Sequence, residues 1–131
     1  MIKITASTGK EKYITEIKTK KHTIIADEPE TVGGADLGFN PGELLAASLA
    51  SCTGITLKMY AERKSWNLEE SMIEVTYDND LKDDEVTMSM SIRLFGTLDE
   101  TQRKRLMEIA NLCPIHKMLE KPISVHTTLK D

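Results

Sequence analysis

The chain opens with alternation. Ile2, Ile4 and Ala6 are separated by polar residues, as in a strand with one face covered. Thr8-Gly9-Lys10 reads as a turn. Tyr13, Thr15 and Ile17 alternate again, and after the polar stretch Lys18-Thr19-Lys20-Lys21 comes a β-branched run, His22-Thr23-Ile24-Ile25-Ala26. Three antiparallel strands joined by hairpins account for this pattern. The alternation then stops. Pro29, Gly33, Gly34 and Gly38 fall between Asp27 and Asn40, so an irregular loop is expected, and loops of that length are often functional.

The period changes at Asn40. Asn40 suits an N-cap and Pro41 the first helical position. Glu43 puts a negative charge in the first turn, where the helix dipole favours it. The spacing predicts a helix from Pro41 to about Arg63. Nothing from Leu44 to Cys52 is charged, so the helix starts apolar on every side and meets water only near Lys58, Glu62, Arg63 and Lys64. Ala46, Ala47, Ser48, Ala50, Ser51 and Gly54 invite close packing. Gly54 costs about 1 kcal/mol relative to alanine, which the close approach of another element would explain. Trp66-Asn67-Leu68 reads as a connection and Ile73, Val75 and Tyr77 as a strand. Asp78 to Glu85 reads as an acidic hairpin tip. Val86, Met88, Met90, Ile92 and Leu94 line one face of a second strand, which Gly96 ends. Leu98-Asp99 leads into a helix with the stripe Leu106, Ile109, Ala110 and Leu112, closed by Pro114. A short helix, Pro114 to Leu119, and a last strand through Ile123, Val125 and Thr127 complete the chain. Strands and helices are partly segregated, which argues an α+β fold with a largely antiparallel sheet in one domain, 1–131.

Composition narrows the functional classes. Of 131 residues, 40% are hydrophobic and 29% charged, an ordinary globular balance. The net charge of −4 and pI near 5.4 count against a generic nucleic-acid binder, which would usually be basic. No apolar run approaches the roughly 20 residues of a membrane helix, and the first residues lack the pattern of a signal peptide. No membrane association and a cytoplasmic location are therefore expected. In a reducing compartment the two cysteines, Cys52 and Cys113, are not expected to form a permanent disulfide, and two thiols are too few for a dedicated zinc module.

Cys52 lies mid-helix among small apolar residues, a setting that suits either an inert core thiol or a protected reactive one. Cys113 directly precedes Pro114 and so falls near a helix N-cap, where partial positive charge favours thiolate. His116, three residues on, either reaches back to that turn or caps a local group. Should the cysteines meet in space, they fit a peroxidatic and a resolving thiol: one sulfur takes an oxygen from a peroxide and the other condenses with it to a disulfide. A metal site formed by Cys52, Cys113 and His116 is a third option, although no H-E-x-x-H or C-x-x-C motif occurs and His22 and His126 are scattered; no metal or cofactor is expected. Glu43 precedes Cys52 by nine residues, which on a helix means the opposite face and about 13 Å along the axis. It would serve Cys52 only from a second subunit or across a broken helix; otherwise it is a first-turn helix acid. Lys10, Lys12, Lys18, Lys20, Lys21 and His22 read as solvated hairpin charges. Gly33-Gly34 lacks the spacing of a dinucleotide loop, and Asp78, Asp80, Asp83 and Asp84 lack that of a calcium loop.

Two segments carry a resemblance. Asn40-Pro41-Gly42-Glu43-Leu44-Leu45-Ala46-Ala47-Ser48-Leu49-Ala50-Ser51-Cys52-Thr53 resembles the signature helix of the OsmC/Ohr family, and Ala110-Asn111-Leu112-Cys113-Pro114-Ile115-His116 resembles its second cysteine motif. The order of elements between them also matches, and Met59 to Lys64 looks like the less-characterised OsmC-like branch. The resemblance implies an intertwined homodimer, each sheet wrapping two long central helices, with sites at the subunit interface. It implies thiol-dependent reduction of small-molecule organic hydroperoxides, with Cys52 as the peroxidatic thiol, Cys113 as the resolving thiol, Glu43 as the candidate acidic partner and a separate thiol reductant. Two positions depart from the family pattern. The glutamate that directly follows the helix-starting proline is here Gly42, with Glu43 one place later, and no arginine occurs before Arg63. These departures motivate the alternative, a non-catalytic OsmC-like protein that binds a small hydrophobic molecule near Cys52.

Overall fold

Strands β1 (Thr5–Thr8), β2 (Thr15–Lys18) and β3 (Thr23–Ala26) form an antiparallel sheet in the order β1-β2-β3 in the computed structural model, which describes residues 1–78, 80, 82 and 84–130. Ala6 faces Ile17 across the first pair and Ile17 faces Ile24 across the second, so one row of apolar side chains crosses the sheet. The first strand begins later than the alternation suggests. Lys18 is the last residue of β2 and pairs with Thr5, so Ile4 and Ile2 have no partner strand and remain exposed. The chain turns at Thr19, whose hydroxyl accepts from His22 N at 2.9 Å and from Lys21 N at 3.2 Å.

The loop from Asp27 to Asn40 is ordered by one carboxylate. Asp27 is only 2% exposed, and its oxygens accept from the backbone N–H groups of Glu28 (2.7 Å), Ala35 (3.2 Å) and Leu37 (3.2 Å). A short 3₁₀ turn, Glu30–Val32, fills the excursion, and Asp27 N donates to Phe39 O to close it.

Helix α1 spans Pro41–Lys64. Its start is a reciprocal cap: Glu43 N donates to Asn40 Oδ1 at 2.8 Å and Asn40 N donates to Glu43 Oε1 at 2.9 Å. Leu49, Thr53, Leu57 and Ala61, four residues apart, are its buried stripe. Leu45, Ile55 and Met59 are exposed. Among the described residues α1 is one helix long and apolar enough, by length and composition, to cross a membrane, and 22% of its most apolar window is buried within the chain. This corrects the expectation drawn from uninterrupted apolar runs. Ser48, Ser51, Thr53 and Gly54 interrupt the run without adding charge, and a bilayer responds to the average over a window.

Strands β4 (Asn67–Tyr77) and β5 (Met88–Thr97) pair antiparallel, with Ile73 opposite Ile92 and Val75 opposite Met90. Two boundaries differ from the sequence reading. Asn67-Leu68 is not a connection but the start of β4. Gly96 does not end β5; it pairs with Leu68 at φ +139°, beside an irregularity in register between Leu68 and Glu70. A bulge lets both strands continue, and its backbone angle is one that glycine adopts freely. Of the acidic tip, Asp78, Asp80 and Asp84 are exposed and Asp83 lies outside the described residues.

Helix α2 (Glu100–Ala110) is capped by Asp99 in a reciprocal box with Gln102, and helix α3 (Pro114–Leu119) is capped by Cys113. Leu57, Ala61, Leu68, Leu106, Ile109 and Ala110 form the buried core, with Trp66, Ile73, Ile92 and Leu94 packed against it. Gly54 meets β4 closely: a Cβ there would stand 3.4 Å from Ile73 Cδ1. Leu112 drops out of the α2 stripe and is exposed. The last strand expected through Ile123, Val125 and Thr127 does not form in this chain. Residues 122–130 hold no helix or strand, and Ile123 and Val125 are 62% and 81% exposed. Alternation prepares a strand face, but a strand also needs a neighbouring edge to hydrogen-bond, and among the described residues neither sheet pairs with this segment.

The backbone falls into two compact units, Met1–Ala47 and Ser48–Asp131. The first holds the three-stranded sheet, the Asp27 loop and the first residues of α1. The second holds the rest of α1, β4 and β5, α2 and α3.

Candidate functional site

Both cysteines lie in the second unit, and they meet. Cys52 is carried by α1 one position before Thr53 of the buried stripe, and is half-buried; Cys113 is fully buried at the N-cap of α3. Neither is in a disulfide. Local sequence builds the Cys113 corner. Pro114 takes the first position of α3, where its missing N–H costs nothing, and this leaves the N–H groups of the next residues pointing back at the cap. His116 N donates to Cys113 Sγ at 3.2 Å, and Ile115 N–H also points at the sulfurs.

The two thiols have opposite electrostatics. Burial pushes the Cys52 thiol up, and its S–H donates to Cys113, which raises it further; the Ile115 N–H and the Thr56 hydroxyl pull the other way without prevailing. Burial also acts upward on Cys113, but the hydrogen bonds from Cys52, His116 N, Thr53 and Ile115 N outweigh it and hold that thiol below its ordinary value. Thr53 is the weakest of these donors. Its hydroxyl donates to Leu49 O at 2.9 Å and its Oγ1 lies 3.5 Å from Met90 Sδ, so its single proton cannot also be spent fully on Cys113. The fixed backbone N–H groups are the firmer support. The two thiols are thus pushed in opposite directions, Cys52 up and Cys113 down.

His116 is half-buried. Its Nε2 lies 3.0 Å from Glu120 Oε1, and its Nδ1 is buried without a hydrogen-bond partner. Glu43, in the first unit, is exposed, its carboxylate engaged by Asn40 N on an unbroken helix. Among the described residues, no group of three His, Cys, Asp or Glu side chains is gathered so as to hold a metal ion. Sequence reading found Cys52, Cys113 and His116 but passed over Thr56 and Glu120. Helical spacing was the available signal, since each follows its partner by four residues.

Residues 33–128 match the sequence profile of the OsmC-like protein family. The chain belongs to the OsmC-like family. Solved structures agree with the assignment. An osmotic stress induced and detoxification response protein from Psychrobacter arcticus 273-4 is 25% identical with a TM-score of 0.77, covering 90% of this chain and 88% of that one. The OsmC-like protein of Mycoplasma pneumoniae is 20% identical with a TM-score of 0.77, over 90% and 86%. The organic hydroperoxide resistance protein OhrB of Bacillus subtilis is 23% identical with a TM-score of 0.61, over 90% and 89%. No curated protein sequence matches the chain. The OsmC/Ohr fold of helices and antiparallel sheets is therefore the fold of this α+β chain, and the family includes proteins named for organic hydroperoxide resistance and stress response.

Proposed function

We propose that this OsmC-like chain reduces organic hydroperoxides with its two thiols, Cys52 as the peroxidatic and Cys113 as the resolving sulfur. What supports the reading is that Cys52 of α1 and Cys113 at the N-cap of α3 come close enough for each to shift the pKa of the other. Cys113 is fully buried, so Cys52 is the sulfur a peroxide can reach. Transfer of the shared proton across the S–H···S contact converts the resting pair, charged at Cys113, into one charged at Cys52. The Cys52 thiolate then attacks the outer oxygen of R–O–O–H. An S–O bond forms, the O–O bond breaks, and RO⁻ takes the Cys113 proton to leave as ROH. Sulfur has lost two electrons and the peroxide has gained them. Cys113 thiolate next attacks the sulfenic sulfur, forming S–S and breaking S–O with loss of hydroxide. A dithiol reductant must return two electrons and two protons to reopen the disulfide.

The same reading makes the working form a homodimer of single-domain, 1–131 chains in the cytoplasm. The uncovered face of α1, with Leu45, Ile55 and Met59, and the strand-patterned tail with Ile123 and Val125 are apolar surfaces that a second copy would cover. Glu43 enters this chemistry only across such a dimer, from the partner to the thiol pair. Light scattering should give twice the chain mass. A monomer that floats with lipid vesicles would instead assign α1 to a membrane.

The deciding experiment is peptide mapping under non-reducing conditions after brief exposure to substoichiometric cumene hydroperoxide, with hydrogen peroxide in parallel. A Cys52–Cys113 disulfide formed within seconds supports the reading. Free thiols after excess peroxide would favour the second one, a non-catalytic OsmC-like protein that binds a small hydrophobic molecule beside Cys52. That second reading has its own support in Gly42 and in the absence of arginine before Arg63.

A further inference from the structure

Helix α1 ends in a turn that brings two aromatic rings together. Ser65 takes φ +58°, Trp66 N donates to Ala61 O at 2.9 Å, and Ser65 N donates to Glu62 O at 3.1 Å. This is a Schellman turn, and it folds Trp66 back over the last residues of the helix. There Trp66 meets Tyr60 edge to face, with ring centroids 5.5 Å apart and planes at 71°. Both rings are half-buried, so their position is fixed while part of each stays open to solvent.

Three cations surround the Tyr60 ring. Arg63 and Lys64, three and four residues further along α1, each place their charge 5.7 Å from the ring centroid. Arg105, from α2, places its own 5.6 Å away. No two of these charges are therefore more than about 11 Å apart, close to the Debye length of about 10 Å at 0.1 M salt, so they repel one another. Arg63 and Lys64 suit the negative end of the α1 dipole. Arg105 lies mid-helix in α2, where no helix end favours a cation. Its guanidinium is nevertheless held towards the other two: Nε donates to Tyr60 Oη at 3.1 Å and Nη1 to Glu108 Oε2 at 2.8 Å. Among the described residues Glu108 is the one carboxylate paired with the cluster, and neither Arg63 nor Lys64 has an ion pair. Glu62, two positions from Tyr60, is about 200° round the helix from it. One negative charge thus stands against three positive ones, all on exposed side chains, in a chain whose net charge is −4.

We propose that Arg63, Lys64 and Arg105, gathered round Tyr60, form a binding site for a multiply charged oxyanion, the phosphate or pyrophosphate group of a small molecule. A single carboxylate has too few oxygens to answer two guanidinium groups and an ammonium together. A pyrophosphate group has enough, and guanidinium matches its oxygens in pairs while ammonium binds as a point charge. Tyr60 sets the geometry by holding Arg105 through its hydroxyl and the other two over its ring. No thiol takes part, so the site stands or falls independently of the peroxidase reading.

Trp66 is the single tryptophan of the chain and touches the ring at the centre of the cluster, so its fluorescence reports on the site. The full chain is titrated with inorganic pyrophosphate at low salt, against sodium chloride of equal ionic strength, with calorimetry run alongside so that a spectrally silent event is seen. The wild type should give a saturable response that chloride does not reproduce. Arg105→Gln and Lys64→Gln, both at exposed positions, should each weaken binding about tenfold, the effect of losing one charge-assisted contact. The absence of a saturable response by both methods would overturn the proposal. So would an equal response to chloride, or wild-type affinity in both variants.

Discussion

Two buried acids, one in each unit, invite comparison. Asp27 in the first unit and Cys113 in the second are both sealed from water, and both have their ionised form held by backbone N–H groups from a turn. For each, burial is the largest single influence and acts upward, and for each the sum of the hydrogen bonds wins and holds the group below its ordinary pKa. The outcomes differ because of what shares the proton. Asp27 is bonded to Glu28, Ala35 and Leu37 N–H groups alone, which cannot titrate, so its charge does nothing but hold a loop. Cys113 is bonded to a second thiol, so its charge can move. The same desolvation and the same backbone donors produce a clasp in one place and a reactive pair in the other.

The comparison can be broken at either end. The largest effect should come from Cys52→Ser. Removing the accessible sulfur leaves Cys113 with no thiol to share its proton, and peroxide consumption should fall by about a thousandfold or more, because a hydroxyl is a far poorer nucleophile at neutral pH. Full peroxide turnover in that variant, measured by loss of hydroperoxide, would sink the catalytic assignment. Next in size is Asp27→Asn. An amide can accept with one oxygen only and carries no charge, so at least one of the three N–H bonds is lost and the others weaken; the melting temperature should drop by roughly 5–10 °C. The smallest effect sharpens the contrast. Since the folded pKa of Asp27 lies below the unfolded one, its contribution is fully present above the ordinary carboxylate range and fades as the pH falls through the folded value. Wild-type stability should therefore decline on acidification more steeply than that of Asp27→Asn, as read by urea unfolding at several acid pH values. Equal slopes would mean the carboxylate is not what orders the loop.

Much of the scaffold could be read from residues a few positions apart. Asn40, Pro41 and Glu43 set the start of α1, and Cys113-Pro114 set the start of α3, because capping needs only neighbours within one turn. Alternation located β2, β4 and β5, and a β-branched run located β3, for the same reason. The misreadings share a different cause. Gly96 looks like a terminator in isolation, yet it continues β5 because Leu68 lies across from it and the pair accommodates a bulge. Ile123, Val125 and Thr127 look like a strand, yet no edge in this chain receives them. The length of α1 was legible, and by length and composition alone it also meets the measure of a membrane-spanning helix, as the core helix of a soluble protein can.

The sequence by itself determined the order and kind of the elements, the capped helix starts, the family likeness and the identity of the two sulfurs that matter. Each of these depends on local spacing or on residue type. Only the tertiary structure decided that Cys52 and Cys113 come together at the N-cap of α3 and that Asp27 organises the loop after β3. Those facts depend on groups far apart in the chain being buried together, where water no longer satisfies them and each must find its partner in another segment.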